Sequence, residues 1–294
     1  MKKKLAAVLV LALSATTVLA GCTSKSTSKS TSGATAAASE ATAASSSASS
    51  ASTGTEEGAK KSGDTFTVGF DAEYPPFGFK DDSGEYTGFD LDLAQEVCDR
   101  NDWKLVKQPI DWDSKDMELD SGTIDCIWNG FTMTGREDKY TWSDPYLDNS
   151  QIFLVSVDSN IKTFADLAGK VVYVQADSAA LSALNDNEEL KNSFGELTEI
   201  GDYNSAVMNL EAGAADAVAI DSAIATGYTK DGKVVALEEK ISSEQYAIGF
   251  KLGNKALRDQ VQTTLDEMAK DGTVLTIAEK YADYNVADAL LIGK

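Results

Sequence analysis

The spacing of apolar positions changes repeatedly along most of the chain, and each change predicts a new secondary-structure element. FTVGF (66–70) is a short, mostly apolar run typical of a buried strand. GFDLDLAQEVCDRN (88–101) has apolar residues at helical spacing, which predicts an amphipathic helix. A strand, a helix and a strand are then predicted at KLVKQ (104–108), DSKDMELDSG (113–122) and TIDCIWN (123–129). This βαβαβ order indicates a parallel sheet with helices on its faces.

A second alternating set of strands and helices follows. Its predicted elements are strands or extended segments at 150–157, 196–200, 215–220 and 242–250, a short helix, a turn and a strand within 163–175, and helices at 178–186, 203–213, 257–272 and 273–282. Two such sets predict an α/β protein of two lobes, each a mostly parallel sheet flanked by helices, joined by a two-strand hinge. We expect lobe 1 to comprise 64–148 plus 248–294, and lobe 2 to comprise 149–247.

The first 63 residues have the pattern of an exported protein rather than of a folded domain. Residues 1–21 carry three lysines followed by a short apolar run, which predicts a signal peptide. The ending Leu19-Ala20-Gly21-Cys22 resembles a bacterial lipobox, which implies cleavage before Cys22 and lipidation of its sulfur; the alternative is an ordinary signal peptide. Residues 22–63 are mostly Ser, Thr, Ala, Gly and Lys, a composition that predicts a disordered linker.

The charge balance and the missing residue types exclude several functions. With 26 Lys and Arg against 47 Asp and Glu, the formal net charge of −21 argues against nucleic acid as a partner. There is no histidine, which removes a Ser-His-Asp triad and the commonest zinc ligand. We therefore expect no catalytic residues, no metal and no cofactor. Cys98 and Cys126 are either a disulfide or two buried thiols.

In open α/β sheets, ligands bind outside the carboxyl ends of the strands, so the residues at those ends are the candidates. After FTVGF, Asp71 is a carboxylate beside the aromatic Tyr74, in a loop stiffened by two prolines. After TIDCIW come Gly130, Thr132 and Arg136, which offer a close backbone approach, a hydroxyl and a planar cation. Alternatively, Arg136 is a surface cation paired with a neighbouring acid.

Two further strand ends lie in the second lobe. Asp177 and Ser178 open a predicted helix, whose free N–H groups favour an anion. Asp221 ends an apolar strand and suits an ammonium group. For Ser178 and Asp221, ordinary helix N-capping is the alternative interpretation.

The four strand ends complement one another. Arg136 and the helix start at Ser178 require a carboxylate, whereas Asp221, Thr132 and the Gly130 carbonyl require an ammonium, and these are the two ends of an α-amino acid. Desolvation of both charges is tolerable only where each is paired and hydrogen-bonded. Residues predicted to form the surrounding pocket are Asp71, Tyr74, Trp112, Trp128 and Asn129.

The chain resembles the amino-acid-binding lipoproteins of bacterial ABC importers, within the family 3 extracellular solute-binding proteins. The matching segments, in order, are DAEYPPFGF, YTGFDLDLAQEV, IDCIWNGFTMTGREDKYTWSDPYL, TFADLAGKVVYVQADS, LEAGAADAVAIDSAIA and LDEMAKDGTVLTIAEKYAD. The resemblance implies a type II periplasmic-binding-protein fold that closes around its ligand.

The resemblance also implies a role for each matching residue. It places Tyr74 against the ligand, and it places Arg136 on the α-carboxylate with N–H groups of Thr132 and Ser178. Gly130, Thr132 and Asp221 would take the α-amino group. Many relatives begin the helix with Gly-Thr or Gly-Ser where this chain has Ala176-Asp177-Ser178, so Asp177 adds a negative charge.

These observations predict a substrate-binding protein, not an enzyme, that captures a polar or basic amino acid and delivers it to the permease subunits of an ABC transporter. Glutamine, arginine, lysine, histidine and cystine remain open as ligands. A dehydratase-like enzyme on the same scaffold and an amino-acid-sensing module are the alternatives. We expect a monomer, held on the outer face of the cell membrane by lipid on Cys22, extracellular in a Gram-positive cell or periplasmic in a Gram-negative one.

Overall fold

A computed structural model describes residues 58–293. The predicted signal peptide, the lipobox with Cys22 and most of the predicted linker lie outside these residues. Lys60, within the predicted linker, packs against the folded body: its amide N–H donates to Gln260 at 2.8 Å, and its Nζ pairs with Asp125 at 2.9 Å. Ordered structure therefore begins before Asp64. Within 58–293, no helix is long and apolar enough to span a membrane.

The described residues alternate strands and helices as the apolar spacing predicts. The strands are β1 (Thr65–Phe70), β2 (Glu73–Tyr74), β3 (Gly78–Lys80), β4 (Tyr86–Thr87), β5 (Lys104–Pro109), β6 (Cys126–Ile127), β7 (Thr141–Trp142), β8 (Leu147–Ser156), β9 (Val171–Gln175), β10 (Glu196–Ile200), β11 (Ala217–Asp221), β12 (Val234–Ala236), β13 (Ser242–Tyr246) and β14 (Gly249–Phe250). The α-helices are α1 (Phe89–Asn101), α2 (Lys115–Ser121), α3 (Ala179–Asp186), α4 (Glu188–Ser193), α5 (Tyr203–Glu211), α6 (Ser222–Tyr228), α7 (Lys255–Asp271), α8 (Thr273–Glu279) and α9 (Val286–Ala289).

Two separate sheets define two lobes. The sheet of lobe 1 has the strand order β5-β1-β6-β14-β7, and the sheet of lobe 2 has the order β10-β9-β11-β8-β12, with β13 also paired to β8. A small antiparallel sheet, β2-β3-β4, lies beside the first. The expected two-lobed α/β fold is confirmed.

Each large sheet is mixed rather than mostly parallel. In lobe 1, β1 is parallel to β5 and β6, but β14 is antiparallel to β6 and β7. In lobe 2, β9 is parallel to β10 and β11, but β8 is antiparallel to its three partners. The antiparallel pairs arise because a strand that crosses from the other lobe has no helical crossover to turn its direction.

The chain passes between the sheets along two adjacent antiparallel segments. β8 starts at Leu147 directly opposite Tyr246, the last residue of β13. From there β8 runs into lobe 2, whereas β13 leads into β14 of lobe 1. The side chains of β8 are almost continuously buried, because helices and strands cover both its faces. These two segments therefore form the base of the cleft between the lobes.

Candidate ligand-binding site

A small cavity lies where the two lobes meet. Both lobes contribute to its wall. Its lining residues are Tyr74, Trp112, Gly130, Thr132, Arg136, Gln175, Ser178, Ala179 and Asp221. Aromatic rings, one guanidinium and one carboxylate thus surround the same space, as in sites that orient a small polar ligand.

Arg136 is buried at this cavity rather than exposed on the surface. Its side chain is only 8 % exposed, and among residues 58–293 it forms no ion pair within 4.0 Å. The guanidinium lies over the Phe131 ring, 5.3 Å from its centroid, and donates to the Thr132 carbonyl at 3.2 Å. The surface-cation alternative is therefore wrong, and most of the five guanidinium N–H donors remain available to an anion.

Asp221 lies at the end of β11 and is 3 % exposed. It precedes α6, but its side chain makes no capping hydrogen bond to that helix. Instead, its Oδ1 accepts hydrogen bonds from Asn149 at 2.7 Å, Gln151 at 2.6 Å and the Tyr246 hydroxyl at 2.7 Å. The N-capping interpretation fails for Asp221, whose carboxylate is fixed at the cavity wall.

Ser178 caps a helix and also lies at the cavity. Its hydroxyl accepts a hydrogen bond from the Leu181 amide at 3.1 Å, which caps α3, and it also lines the cavity. The preceding Asp177 has φ = 53°, a left-handed conformation that aspartate tolerates better than most residues.

The loop after β6 carries Gly130 into a crowded position. Its φ is 57°, and a Cβ built on it would lie 2.9 Å from the Tyr246 ring and 3.1 Å from the Tyr74 ring. Its N–H donates to the Asp90 carboxylate at 2.6 Å. Glycine is thus required because two aromatic rings, rather than a ligand alone, approach the backbone closely.

A second buried carboxylate lies behind the wall. Glu244 of β13 is 7 % exposed, and its Oε1 accepts from the Thr132 hydroxyl at 2.8 Å, Asn149 at 2.7 Å and Gln151 at 2.8 Å. The same two amides also contact Asp221. Burial, and after it the charge of Asp221, raise the pKa of Glu244 to about 7.

Side chains of the two lobes also contact each other around the cavity. Lys115 of α2 pairs with Asp177, beyond β9, and lies 5.1 Å from the centroid of the Trp112 ring. Gln175 of β9 donates to Asp71 at 2.7 Å. Burial lowers the pKa of Lys115, while Asp177 acts in the opposite direction. The extra negative charge of Asp177 is therefore paired with a lysine of the protein itself.

Two further buried acids support the cleft. Burial raises the pKa of Asp71 to about 6, although hydrogen bonds from the Glu73 amide and from Gln175 partly offset this effect. Burial also raises the pKa of Asp90 to about 7, against hydrogen bonds from the Tyr146 hydroxyl and from Gly130. Both groups thus hold neighbouring cleft residues in place.

Seven of the eleven predicted site residues line the cavity. They are Tyr74, Trp112, Gly130, Thr132, Arg136, Ser178 and Asp221. The residues outside it are Asp71, Trp128, Asn129 and Asp177.

Each of those four has a physical reason for its position. Trp128 follows Cys126 by two residues, so both point to the same buried face of the sheet and pack in the core. Asn129 is 1 % exposed and packs beside Gly78. Asp71 lies beyond Gln175, in an adjoining cavity, and Asp177 turns towards Lys115.

The residues that sequence reasoning missed belong mainly to hinge segments. Asn149, Gln151 and Glu244 lie on the paired strands β8 and β13, which the sequence shows only as extended segments. Their polar side chains within otherwise apolar strands were the available signal, since buried polar groups require partners. Cys98 and Cys126 are both buried free thiols, as one of the two alternatives predicts.

An α/β protein of two lobes, with a polar cavity between them and two connecting strands, is a ligand-binding protein of the periplasmic-binding type. The chain belongs to the bacterial extracellular solute-binding proteins, family 3, whose sequence profile matches residues 66–284. The predicted family is confirmed.

Individual relatives agree with this assignment. The L-cystine-binding protein TcyJ of Escherichia coli (strain K12) is 30% identical over 224 residues, which cover 74% of this chain and 82% of that protein. A substrate-binding protein of an ABC uptake transporter from Streptococcus pneumoniae, solved with bound histidine, is 32% identical with a TM-score of 0.71, covering 74% of this chain and 91% of that one.

A second similar structure concerns the enzyme alternative. It is an ancestral amino acid-binding protein described as a precursor of cyclohexadienyl dehydratase, 33% identical with a TM-score of 0.67, covering 74% of this chain and 94% of that one.

Proposed function

We propose that this protein is the substrate-binding component of an ABC importer and captures a polar or basic amino acid between its lobes. The observation that carries the proposal is the placement of Arg136 and Asp221, both buried, in the wall of one cavity between the lobes. An amino acid zwitterion supplies the opposite charge to each, which offsets the cost of burying both. The bound ligands named for the relatives, cystine and histidine, belong to the same class.

The surroundings of the cavity favour a polar or cationic side chain over an aliphatic one. An adjoining cavity shares Trp112 with the first and contains Asp71, which accepts from the cavity-lining Gln175. Its other acidic lining residues are Glu73, Asp111, Asp113, Glu118 and Asp202. Because no lysine or arginine among residues 58–293 lines this adjoining cavity, its field attracts a cationic group that extends beyond Gln175.

The enzyme alternative requires an acid or base within reach of the substrate. Of the residues lining the cavity, Asp221 is the carboxylate, and three hydrogen-bond donors already fix it. Asp71 and Glu244, whose pKa values are raised, lie outside the lining. This arrangement supports binding and transport rather than dehydration.

The remaining parts of the proposal concern the cell. We infer the lobe boundaries 64–148 plus 248–294 and 149–247, lipidation at Cys22, and a monomer that presents its loaded form to permease subunits. The protein would then face outward from the cell membrane, where an extracytoplasmic amino acid is available.

Thermal unfolding of residues 58–294 with each of the twenty amino acids, cystine and ornithine tests this proposal. The protein is first unfolded and refolded to remove any ligand carried through purification. A ligand at a thousand times its dissociation constant adds about 4 kcal/mol to the free energy of unfolding, which raises the melting temperature by several degrees. Shifts confined to polar or basic amino acids are expected. A flat response to all of them would exclude amino acid capture.

A further inference from the structure

The hydroxyl of Thr132 has a fixed direction that the cavity alone does not explain. Thr132 lines the cavity, but its Oγ lies 2.8 Å from Oε1 of Glu244, on the protein side. A hydroxyl has one proton and two lone pairs, and a carboxylate can only accept. Thr132 therefore donates its proton to Glu244, and its oxygen remains towards the ligand as an acceptor only.

Asp221, like Thr132, has an oxygen atom that is left as an acceptor for the ligand. Its Oδ1 accepts from Asn149, Gln151 and Tyr246, whereas Oδ2 has a long contact of 3.4 Å with the Tyr203 hydroxyl. Oδ2 thus retains accepting capacity for a ligand. A hydroxyl oxygen and a carboxylate oxygen, both acceptors, match the N–H donors of an ammonium group.

The two carboxylates also leave a negative charge without a balancing cation. Asn149 and Gln151 each donate to both Asp221 and Glu244, so one pair of neutral amides joins the two acids. In the described part of the chain, neither acid forms an ion pair within 4.0 Å. An arriving ammonium would supply the missing positive charge.

The groups that face Glu244 come from several elements. Burial raises the pKa values of the Tyr203 and Tyr246 hydroxyls well above their usual value, so these groups stay neutral. The other charged residues that share a surface cavity with Glu244 are Arg136, Lys139 and Asp186 on one side, and Asp148 and Lys240 on the other. These include cations and anions on both sides, whereas Asp221 is the acid joined to Glu244 by shared donors.

We propose that Glu244 is a positioning residue of the α-ammonium subsite, which orients the Thr132 hydroxyl as an acceptor and adds a second negative charge that binds the ammonium in exchange for a proton. The proposal rests on the amino-acid-binding function proposed above. Glu244 does not line the cavity, yet it then affects both the affinity for the ligand and the pH dependence of that affinity.

The direction of the pH dependence follows from the two charge states of Glu244. With the pKa of Glu244 at about 7 in the empty protein, part of the population is protonated at neutral pH. A bound ammonium favours the carboxylate and lowers this pKa, so binding releases a proton and strengthens as pH rises through 7. A decrease of about one pKa unit gives a fall in Kd of about fivefold between pH 6 and pH 8, and release of about 0.4 proton per ligand at pH 7.

Isothermal titration calorimetry of the wild type, Glu244→Gln and Glu267→Gln tests the proposal. The probe is L-arginine or L-glutamine, whichever shifts the melting temperature; histidine is avoided because its own side chain titrates in this range. Titrations at pH 6, 7 and 8, in two buffers of different ionisation enthalpy, give Kd and proton release. Glu267→Gln removes the same charge from an exposed position on α7 and is the matched control.

The wild type and Glu267→Gln should show the fivefold dependence and the proton release, whereas Glu244→Gln should bind more weakly at pH 8 and lose most of both. Asp71 and Asp90 also titrate, but they are common to all three proteins, so the difference isolates Glu244. Equal pH dependence in the wild type and Glu244→Gln overturns the proposal. If Glu244→Gln does not fold, the wild type is sufficient for the test: absence of proton release at pH 7 overturns the proposal. If the wild type binds no amino acid, the proposed function fails as well.

Discussion

Replacement of Arg136 by methionine tests the carboxylate end of the site. The side chain is 8 % exposed, stacks on Phe131 and donates a hydrogen bond to the Thr132 carbonyl. Methionine retains much of the volume and the contact with Phe131 but removes the charge and the donors. Loss of one partner from a buried, hydrogen-bonded charge pair costs about 2–5 kcal/mol, so an expected loss of about 3 kcal/mol weakens binding about 150-fold.

The ligand-free protein should respond differently to the same change. Because Arg136 is a buried cation without an ion-pair partner among residues 58–293, its removal relieves a desolvation cost. The lost cation–π attraction to the Phe131 ring is worth about 0.5–2 kcal/mol, so the two effects nearly cancel in the free energy of unfolding. Calorimetry and urea denaturation of Arg136→Met and of Arg136→Lys, which keeps the charge without the planar fork, separate affinity from stability.

An affinity of Arg136→Met within threefold of the wild type would refute this reasoning, since another group would then hold the carboxylate. A parallel loss of affinity and of stability would also contradict it, because it would indicate general damage to the lobe.

Two other changes test the buried charges around the cleft. Burial raises the pKa of Asp90 to about 7 in the folded state, so its contribution to stability is full below pH 4 and is lost as pH rises through 7. Since the raised pKa values of Asp71 and Glu244 act in the same direction, urea denaturation should give a wild type less stable at pH 8 than at pH 5, and Asp90→Asn should reduce that difference by about 1–3 kcal/mol. Asp177→Ala leaves Lys115 buried without its carboxylate partner, and because Asp177 is 55 % exposed we expect a loss of only about 1–2 kcal/mol in the free energy of unfolding. Lys115→Met in that background should recover most of the loss, whereas additive losses in the double variant would contradict a buried ion pair.

The sequence could predict the family and the two-lobed fold because both depend on local patterns. Alternating apolar spacing identifies strands and helices, and the ends of those strands identify Thr132, Arg136 and Asp221 as residues that face a common cleft. The resemblance of six segments, which occur in the order found in the family, leads to the same assignment. The pattern did not predict the mixed sheets, since strand direction in a sheet depends on which strands meet in space.

Details of the site that depend on distant partners could not be obtained in this way. Trp128 was predicted in the pocket because it follows a strand, but the pleat of that strand turns its ring into the core. Asp177 was predicted near the ligand, but Lys115, 62 positions away in the chain, pairs with it instead.

The class of fold, the chemical types of the cleft residues and the exported character expected of the chain follow from the amino-acid sequence. The hydrogen-bond donors that each buried acid receives depend on how the lobes pack. Glu244 and Thr132 are 112 residues apart, and their hydrogen bond exists because β13 returns beside the cleft. Apolar periodicity records which residues are buried, whereas a hydrogen bond between buried groups depends on distances of a few tenths of an ångström that only the packed lobes establish.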